Sequence, residues 1–315
     1  MKRSLSLVSS TLACLFLAGS AWAEKLPYAN SKITPPTPEY CAAVENAAPA
    51  RPTVKAPKRK VLVFSRYTGF NHEVIPHVDR VFEILGKKSG AFDVTVTRDI
   101  ERLMPKNLAH YDVLVLNNNC SVGKRRNLFL DVLEKDAKYS DLDAQQRQVK
   151  ADALEKSILD FVAGGKGLVA IHGAVTILNN SKEFTAMLGA SFEFHPPNQQ
   201  LTVRTVEPDH PLVAAFRGKG PLIHRDEAYA FGAPYAQHDF RPLLVIDTDG
   251  LKDPSGRIGK TVRYVAWIKP YGKGRVFYCS PSHFPESYES PTLLRFLLDG
   301  VQYAAGDLKC DDSKR

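Results

Sequence analysis

Three histidines in this 315-residue chain each follow a short apolar run. His72 comes after Val61-Leu62-Val63-Phe64 and the polar stretch Ser65-Arg66-Tyr67-Thr68-Gly69-Phe70-Asn71. His172 directly follows Gly167-Leu168-Val169-Ala170-Ile171. His283 comes after Val276-Phe277-Tyr278-Cys279 and Ser280-Pro281-Ser282. Imidazole changes charge near neutrality and, when neutral, ligates metals, so such residues suit acid/base work or metal binding. A fourth element is the cluster Ile223-His224-Arg225-Asp226-Glu227-Ala228-Tyr229, which adds two carboxylates and a phenol. His77, His110 and His238 fall outside the pattern and read as structural or surface residues, while His195 and His210 each precede a proline in loops.

Several familiar chemistries are excluded. The turn at Ala170-Ile171-His172-Gly173-Ala174 has histidine where a nucleophile elbow needs Ser or Cys. Gly164-Gly165-Lys166-Gly167 precedes a strand, so it is a tight turn and not a phosphate cradle. No HExxH or Cys/His spacing marks a local zinc motif. Net charge is +8, but the basic residues are scattered without interleaved aromatics, which argues against a nucleic-acid partner.

The elements that must position these residues follow from periodicity. Residues 61–64, 113–116 and 167–171 are continuously apolar, as strands buried on both faces should be. Between them, Val78, Val81, Phe82 and Leu85 have helical spacing, and a long helix is expected from about Asp143 to Val162, stopped by Gly164-Gly165. Such βα repeats predict a mainly parallel sheet with helices on both faces, where ligands bind beyond the carboxyl ends of the strands. The second half reads as antiparallel: residues 201–204 and 243–247 alternate, and 262–268 and 275–280 flank a hairpin turn at Pro270-Tyr271-Gly272-Lys273-Gly274. A helix over 293–303 closes one α/β domain at 58–306, followed by a polar tail, 307–315. Residues 124–150 read as a polar insertion with helical stretches.

Residues 1–23 combine Lys2 and Arg3, an apolar run to about Ala18, and Ala21-Trp22-Ala23, which is the pattern of a cleaved signal peptide. Export is therefore expected, to the periplasm if the source is Gram-negative, and no membrane span is expected in the mature chain. Residues 24–57 carry seven prolines and read as an extended leader. In an oxidising compartment, Cys41 in that leader and Cys310 in the tail are expected to pair as a disulfide, with Cys120 and Cys279 as buried thiols.

Taken together, Thr68-Gly69-Phe70-Asn71-His72-Glu73, Gly164 through Ala174, Asp209-His210-Pro211, Asp226-Glu227-Ala228-Tyr229, Gly272 through Tyr278 and His283 resemble the ThuA-like (trehalose utilisation) family over about 60–305. The resemblance implies a flavodoxin-like fold related to class I glutamine amidotransferases, with histidine at 172 replacing the amidotransferase cysteine, so glutaminase activity is not expected. It also implies carbohydrate metabolism. The expected function is an exported enzyme acting on a sugar or oxidised sugar. His172 is its central acid/base, His72 and His283 orient or polarise the substrate, and Glu227 sets a histidine tautomer or takes a second proton. Tyr67, Asn71, Asp226, Tyr229 and His195 are the expected substrate contacts, whereas Trp267 is assigned to the core. The partner is a small-molecule carbohydrate and no cofactor is expected. The alternatives are a non-catalytic sugar-binding protein and a metal-dependent hydrolase whose zinc-type ion is held by His72, His172, His283 and Glu227.

Overall fold

The computed structural model describes residues 34–123 and 125–315. The expected signal peptide and the first part of the leader lie outside the described residues. The rest of the leader departs from expectation, because it contains a helix, α1 (Pro38–Ala47). The prolines bracket this helix instead of preventing it. Pro38 occupies the first turn, where a missing N–H costs nothing, and the Thr37 side chain accepts from the Tyr40 N–H as N-cap.

The chain continues through β1 (Arg59–Phe64), α2 (Ile75–Ser89), β2 (Phe92–Thr97), a short α3 (Pro105–Leu108) and β3 (Val113–Asn117). Next come α4 (Leu128–Lys135), α5 (Ala144–Ala163), β4 (Gly167–Ile171), α6 (Lys182–Leu188), β5 (Ser191–Phe194), β6 (Gln199–Thr205) and β7 (Leu222–Asp226). The last elements are β8 (Ala230–Gly232), β9 (Arg241–Asp247), β10 (Val262–Tyr271), β11 (Gly274–Cys279) and α7 (Pro291–Ala304). Helix α5 starts where its capping residue dictates: the Asp143 side chain accepts from the Gln146 N–H, and the Gln146 side chain accepts in return from the Asp143 N–H.

Nine strands form one sheet in the order β2-β1-β3-β4-β11-β10-β9-β6-β7, with β5 and β8 as a separate pair. The first five are mutually parallel and the remaining four antiparallel. The parallel part thus has the flavodoxin-like order 2-1-3-4-5. Alternation splits each parallel strand between two cores. Val61, Val63, Val113 and Val115 face one side with α2 and α7. Leu62, Phe64, Leu114 and Leu116 face the other with α4 and α5.

That second core corrects the reading of 124–150 as a polar insertion. Leu128, Phe129, Leu130, Val132 and Leu133 of α4 are all buried in it. The charged residues around them hid an amphipathic helix of two turns. The expected Cys41–Cys310 disulfide is corrected as well: all four described cysteines are free thiols, and no two lie at disulfide distance. Cys41 sits on α1 beside Arg80 of α2, whereas Cys310 is held near Arg275 and Arg241. The tail is instead tied by ion pairs, Asp311 with Arg241 at 3.0 Å and Arg315 with Glu207. Among the described residues no helix is long and apolar enough to cross a membrane.

Candidate functional site

Parallel register brings the carboxyl ends of β1, β3, β4 and β11 to one edge: Phe64 pairs with Leu116, Asn117 with Ile171, and Ile171 with Cys279. Two of these strands end in left-handed backbone, Asn118 at φ 52° and His172 at φ 44°. The βL-to-αL reversal turns His172 sharply out of the strand, the same use of local strain that a nucleophile elbow makes. Gly173 follows because nothing larger fits: a Cβ there would lie 2.8 Å from His72 Cε1 and 2.9 Å from Cys120 Sγ.

Glu227 arrives by a longer route. Four strands separate β7 from β4, so a flat sheet would hold them roughly 24 Å apart. Yet Glu227 Oε2 lies 3.2 Å from His172 Nε2. Twist must close that gap, and β10 supplies extra twist through register shifts against β9 at Tyr264, Ala266 and Trp267.

The result gathers His72, His172, His283 and Glu227, with one ligand atom from each inside a 4.8 Å span. His172 Nε2, His283 Nδ1 and Glu227 Oε2 form a triangle with sides of 3.1, 3.2 and 3.2 Å. His72 completes the group with its ring centroid 5.1 Å from His172 and 5.0 Å from His283. His172 is fully buried and His72 and Glu227 nearly so.

Hydrogen bonding assigns one tautomer. His172 Nδ1 lies 2.7 Å from the Ser280 carbonyl, which only accepts, so Nδ1 carries the proton. In the neutral ring Nε2 is then a bare lone pair, and it faces a carboxylate oxygen. Only a proton on that edge or a cation between the two groups relieves the contact. Burial opposes charging His172, but the Glu227 hydrogen bond and the Asp226 charge outweigh it and raise its pKa. Burial alone would also raise Glu227, yet hydrogen bonds from His172 and His283 hold it well below the usual carboxylate range. His72 is pushed down by burial and by its histidine neighbours, which keeps it neutral.

The surrounding residues hold this group in place. Asp226 is buried, and its Oδ2 accepts from the Ser282 N–H at 2.8 Å and the His283 N–H at 3.4 Å, while its Oδ1 accepts from the Glu227 N–H at 2.8 Å. It therefore shapes the loop that carries His283. Cys120 Sγ lies 3.7 Å from His72 Nδ1, and burial pushes its pKa up to about 11, so it is a thiol. Tyr229 packs its ring 4.4 Å from that of His172. His195 stacks on Tyr229 and reaches Glu227 Oε1 at 3.5 Å from a more open position. Tyr67 is 1% exposed, Asn71 is half-buried in the loop after β1, and Trp267 is in the core, as expected.

One residue that sequence reasoning missed is Phe70, 63% exposed with its ring 4.8 Å from that of His72. Its signal was present: a large aromatic ring two positions before a strand-end histidine, in an otherwise polar loop.

Residues 60–304 match the family described as ThuA, trehalose utilisation. Among solved structures, a ThuA-like protein from Bacteroides uniformis ATCC 8492 is 18% identical with a TM-score of 0.57, over 79% of this chain and 92% of that one. A second ThuA-like protein, from Parabacteroides merdae ATCC 43184, is also 18% identical, with a TM-score of 0.54 over 82% and 98% of the two chains. At that identity the likeness is one of fold. No curated protein matches this chain.

Proposed function

The chain belongs to the ThuA, trehalose-utilisation family, and from that premise we propose that it is a metal-dependent hydrolase acting on a carbohydrate. In this reading a zinc-type divalent cation is held by His72, His172, His283 and Glu227. The observation that carries it is the triangle of His172 Nε2, His283 Nδ1 and Glu227 Oε2. Donors around a tetrahedral ion with bonds of about 2.0–2.1 Å stand about 3.3 Å apart, close to the sides of the triangle; the set with His72 spans 4.8 Å, so His72 is its outer member and a fourth position stays open to water. The Ser280 carbonyl on His172 Nδ1 and the Asp226 contacts to the loop are the supports that orient metal ligands.

With both ring nitrogens engaged and no exposure, His172 suits ligation better than proton exchange with a substrate. A bound divalent ion lowers the pKa of a coordinated water to about 7 and so supplies hydroxide. Where bound, the ion would supply an activated water for attack on the sugar carbon, and His195, the open imidazole beside Glu227, would carry the proton lost by that water to the leaving oxygen as its bond to that carbon breaks. Phe70 offers an exposed apolar ring for the C–H face of the sugar. Export rests on residues 1–23, and a mature N-terminus at Glu24 would support it.

A second reading, metal-free acid/base chemistry by a His172–Glu227 ion pair, is favoured by the raised His172 pKa. Elemental analysis of the purified protein, with turnover of unmodified and oxidised trehalose before and after chelation, separates the two. The metal reading expects one divalent ion per chain and turnover that chelation abolishes. Full activity without metal would remove it. His195→Gln should keep the ion and lower turnover about 10²–10⁴-fold.

A further inference from the structure

Two arginines stand side by side in the loop between β3 and α4, and the protein treats them in opposite ways. Arg125 is fully committed, its guanidinium lying 3.0 Å from Asp131 and 2.9 Å from Glu134. Arg126 is half-buried, yet among the described residues no carboxylate pairs with it and no hydrogen bond uses its guanidinium. What holds it is a ring: the guanidinium carbon lies 5.2 Å from the centre of Phe192. Its backbone is left-handed at φ 46°, which a bulky residue adopts only where the surroundings impose it. Those surroundings are the chain just beyond His172. Asn127 bridges to Leu178, and the Leu128 N–H donates to the Ile177 carbonyl at 3.0 Å.

Phe192 belongs to the wall of the four-ligand centre. Its ring is 4.9 Å from that of Tyr229 and 6.0 Å from that of His195, and Tyr229 packs in turn on His172. The Arg126 charge is also felt at Cys120, the thiol 3.7 Å from His72 Nδ1. An unpaired cation is therefore fixed by a strained backbone beside the more open, His195 side of the centre. The chemistry it can serve is narrow. A guanidinium only donates, and its planar fork matches a group with two anionic oxygens, a carboxylate or a phosphate ester. A neutral hydroxyl would be met as well by an amide or a serine, with no charge to remove from water.

We propose that Arg126 is the anion-reading residue of this centre, so that the sugar bound there carries a carboxylate or a phosphate. This rests on the carbohydrate reading above and narrows it to an acidic substrate. Calorimetric titration of the purified chain with glucuronate, glucose 6-phosphate, glucose and inorganic phosphate tests it. Wild type should bind one of the two acidic sugars at least about tenfold more tightly than glucose, the better of them identifying the anion, and the preference should shrink as salt rises. Arg126→Asn removes the charge and keeps a residue that tolerates left-handed backbone. It should erase the preference while glucose affinity, metal content and melting temperature stay unchanged, and Arg126→Lys should keep part of it. No preference in wild type, or one that survives Arg126→Asn, would overturn the proposal. Inorganic phosphate that binds wild type but not Arg126→Asn, where no sugar binds either protein, would keep the anion site and remove the carbohydrate reading. Failure of all four probes to bind wild type would remove both. A preference for the acidic sugar in metal-free protein would leave Arg126 its role and sink only the metal.

Discussion

Two buried polar clusters lie at the same edge of the parallel sheet and are built on opposite principles. At the ends of β1 and β3, Asp79 of α2 is surrounded by donors. Ser65 Oγ and Asn117 Nδ2 both donate to its Oδ1, the latter at 2.8 Å, and Arg98 lies 3.5 Å from Oδ2. Asn117 also donates to the Ile75 carbonyl at 2.9 Å, which locks the start of α2 to the sheet. In the second cluster, Nε2 of His172 and Oε2 of Glu227 face each other across 3.2 Å, two acceptors when the ring is neutral. The first cluster meets its carboxylate with protein donors at Oδ1 and the Arg98 charge near Oδ2, and reads as scaffold. The second needs a proton or a cation, and that incompleteness marks it as a site.

The largest expected effect comes from breaking the incomplete cluster. Glu227→Ala and His172→Ala should each abolish stoichiometric zinc binding, measured by elemental analysis, and zinc should fail to raise their melting temperature while raising that of wild type. Retained stoichiometric zinc in either variant would separate those residues from the ion.

The scaffold cluster should respond to pH instead. Burial raises the Asp79 pKa from 3.8 to about 6, against the opposing hydrogen bonds and Arg98. Between those values the folded state holds a proton that the unfolded chain has released. The stabilising effect of protonated Asp79 is thus fully present below pH 3.8 and is lost as pH rises through about 6. Urea titrations at pH 4 and pH 7 should show wild-type stability falling by about 2 kcal/mol more than that of Asp79→Asn. Parallel pH profiles would show that Asp79 titrates normally.

Asp226→Asn sharpens the comparison, since it alters the support of the site without replacing a ligand. The ion should stay bound but 10–100-fold more weakly in a competition titration with a chelator. Phe70→Ala should be the mildest: unchanged stability and zinc content, with sugar affinity reduced up to about tenfold. Unaltered sugar affinity would leave Phe70 without a role in recognition.

Much of this was legible in one dimension, for reasons particular residues make plain. Val61 to Phe64, Val113 to Leu116 and Gly167 to Ile171 are apolar at every position, and only strands covered on both faces have that composition. Helical stretches were expected within 124–150, but the burial of α4 was not legible, because Asp131, Glu134 and Lys135 break up Leu128-Phe129-Leu130 and Val132-Leu133 in a count that ignores which face each residue takes. Helix α1 was obscured by its prolines, whose meaning depends on whether they fall inside a helix or at its first turn. The ion pairs of Arg241 with Glu207 and Asp311 join residues about 34 and 70 positions apart, a pairing no local pattern reports.

By itself the sequence determined the parallel strand–helix alternation and the placing of His72, His172 and His283 beyond strand ends, because periodicity and strand polarity are local properties. Only the tertiary structure decided which atoms meet. Glu227 reaches His172 because a bulged, twisted extension curls across four strands, and His172 presents a lone pair because a distant carbonyl, Ser280, takes its other nitrogen. Both depend on angles accumulated along the sheet, and those exist only once the strands are paired.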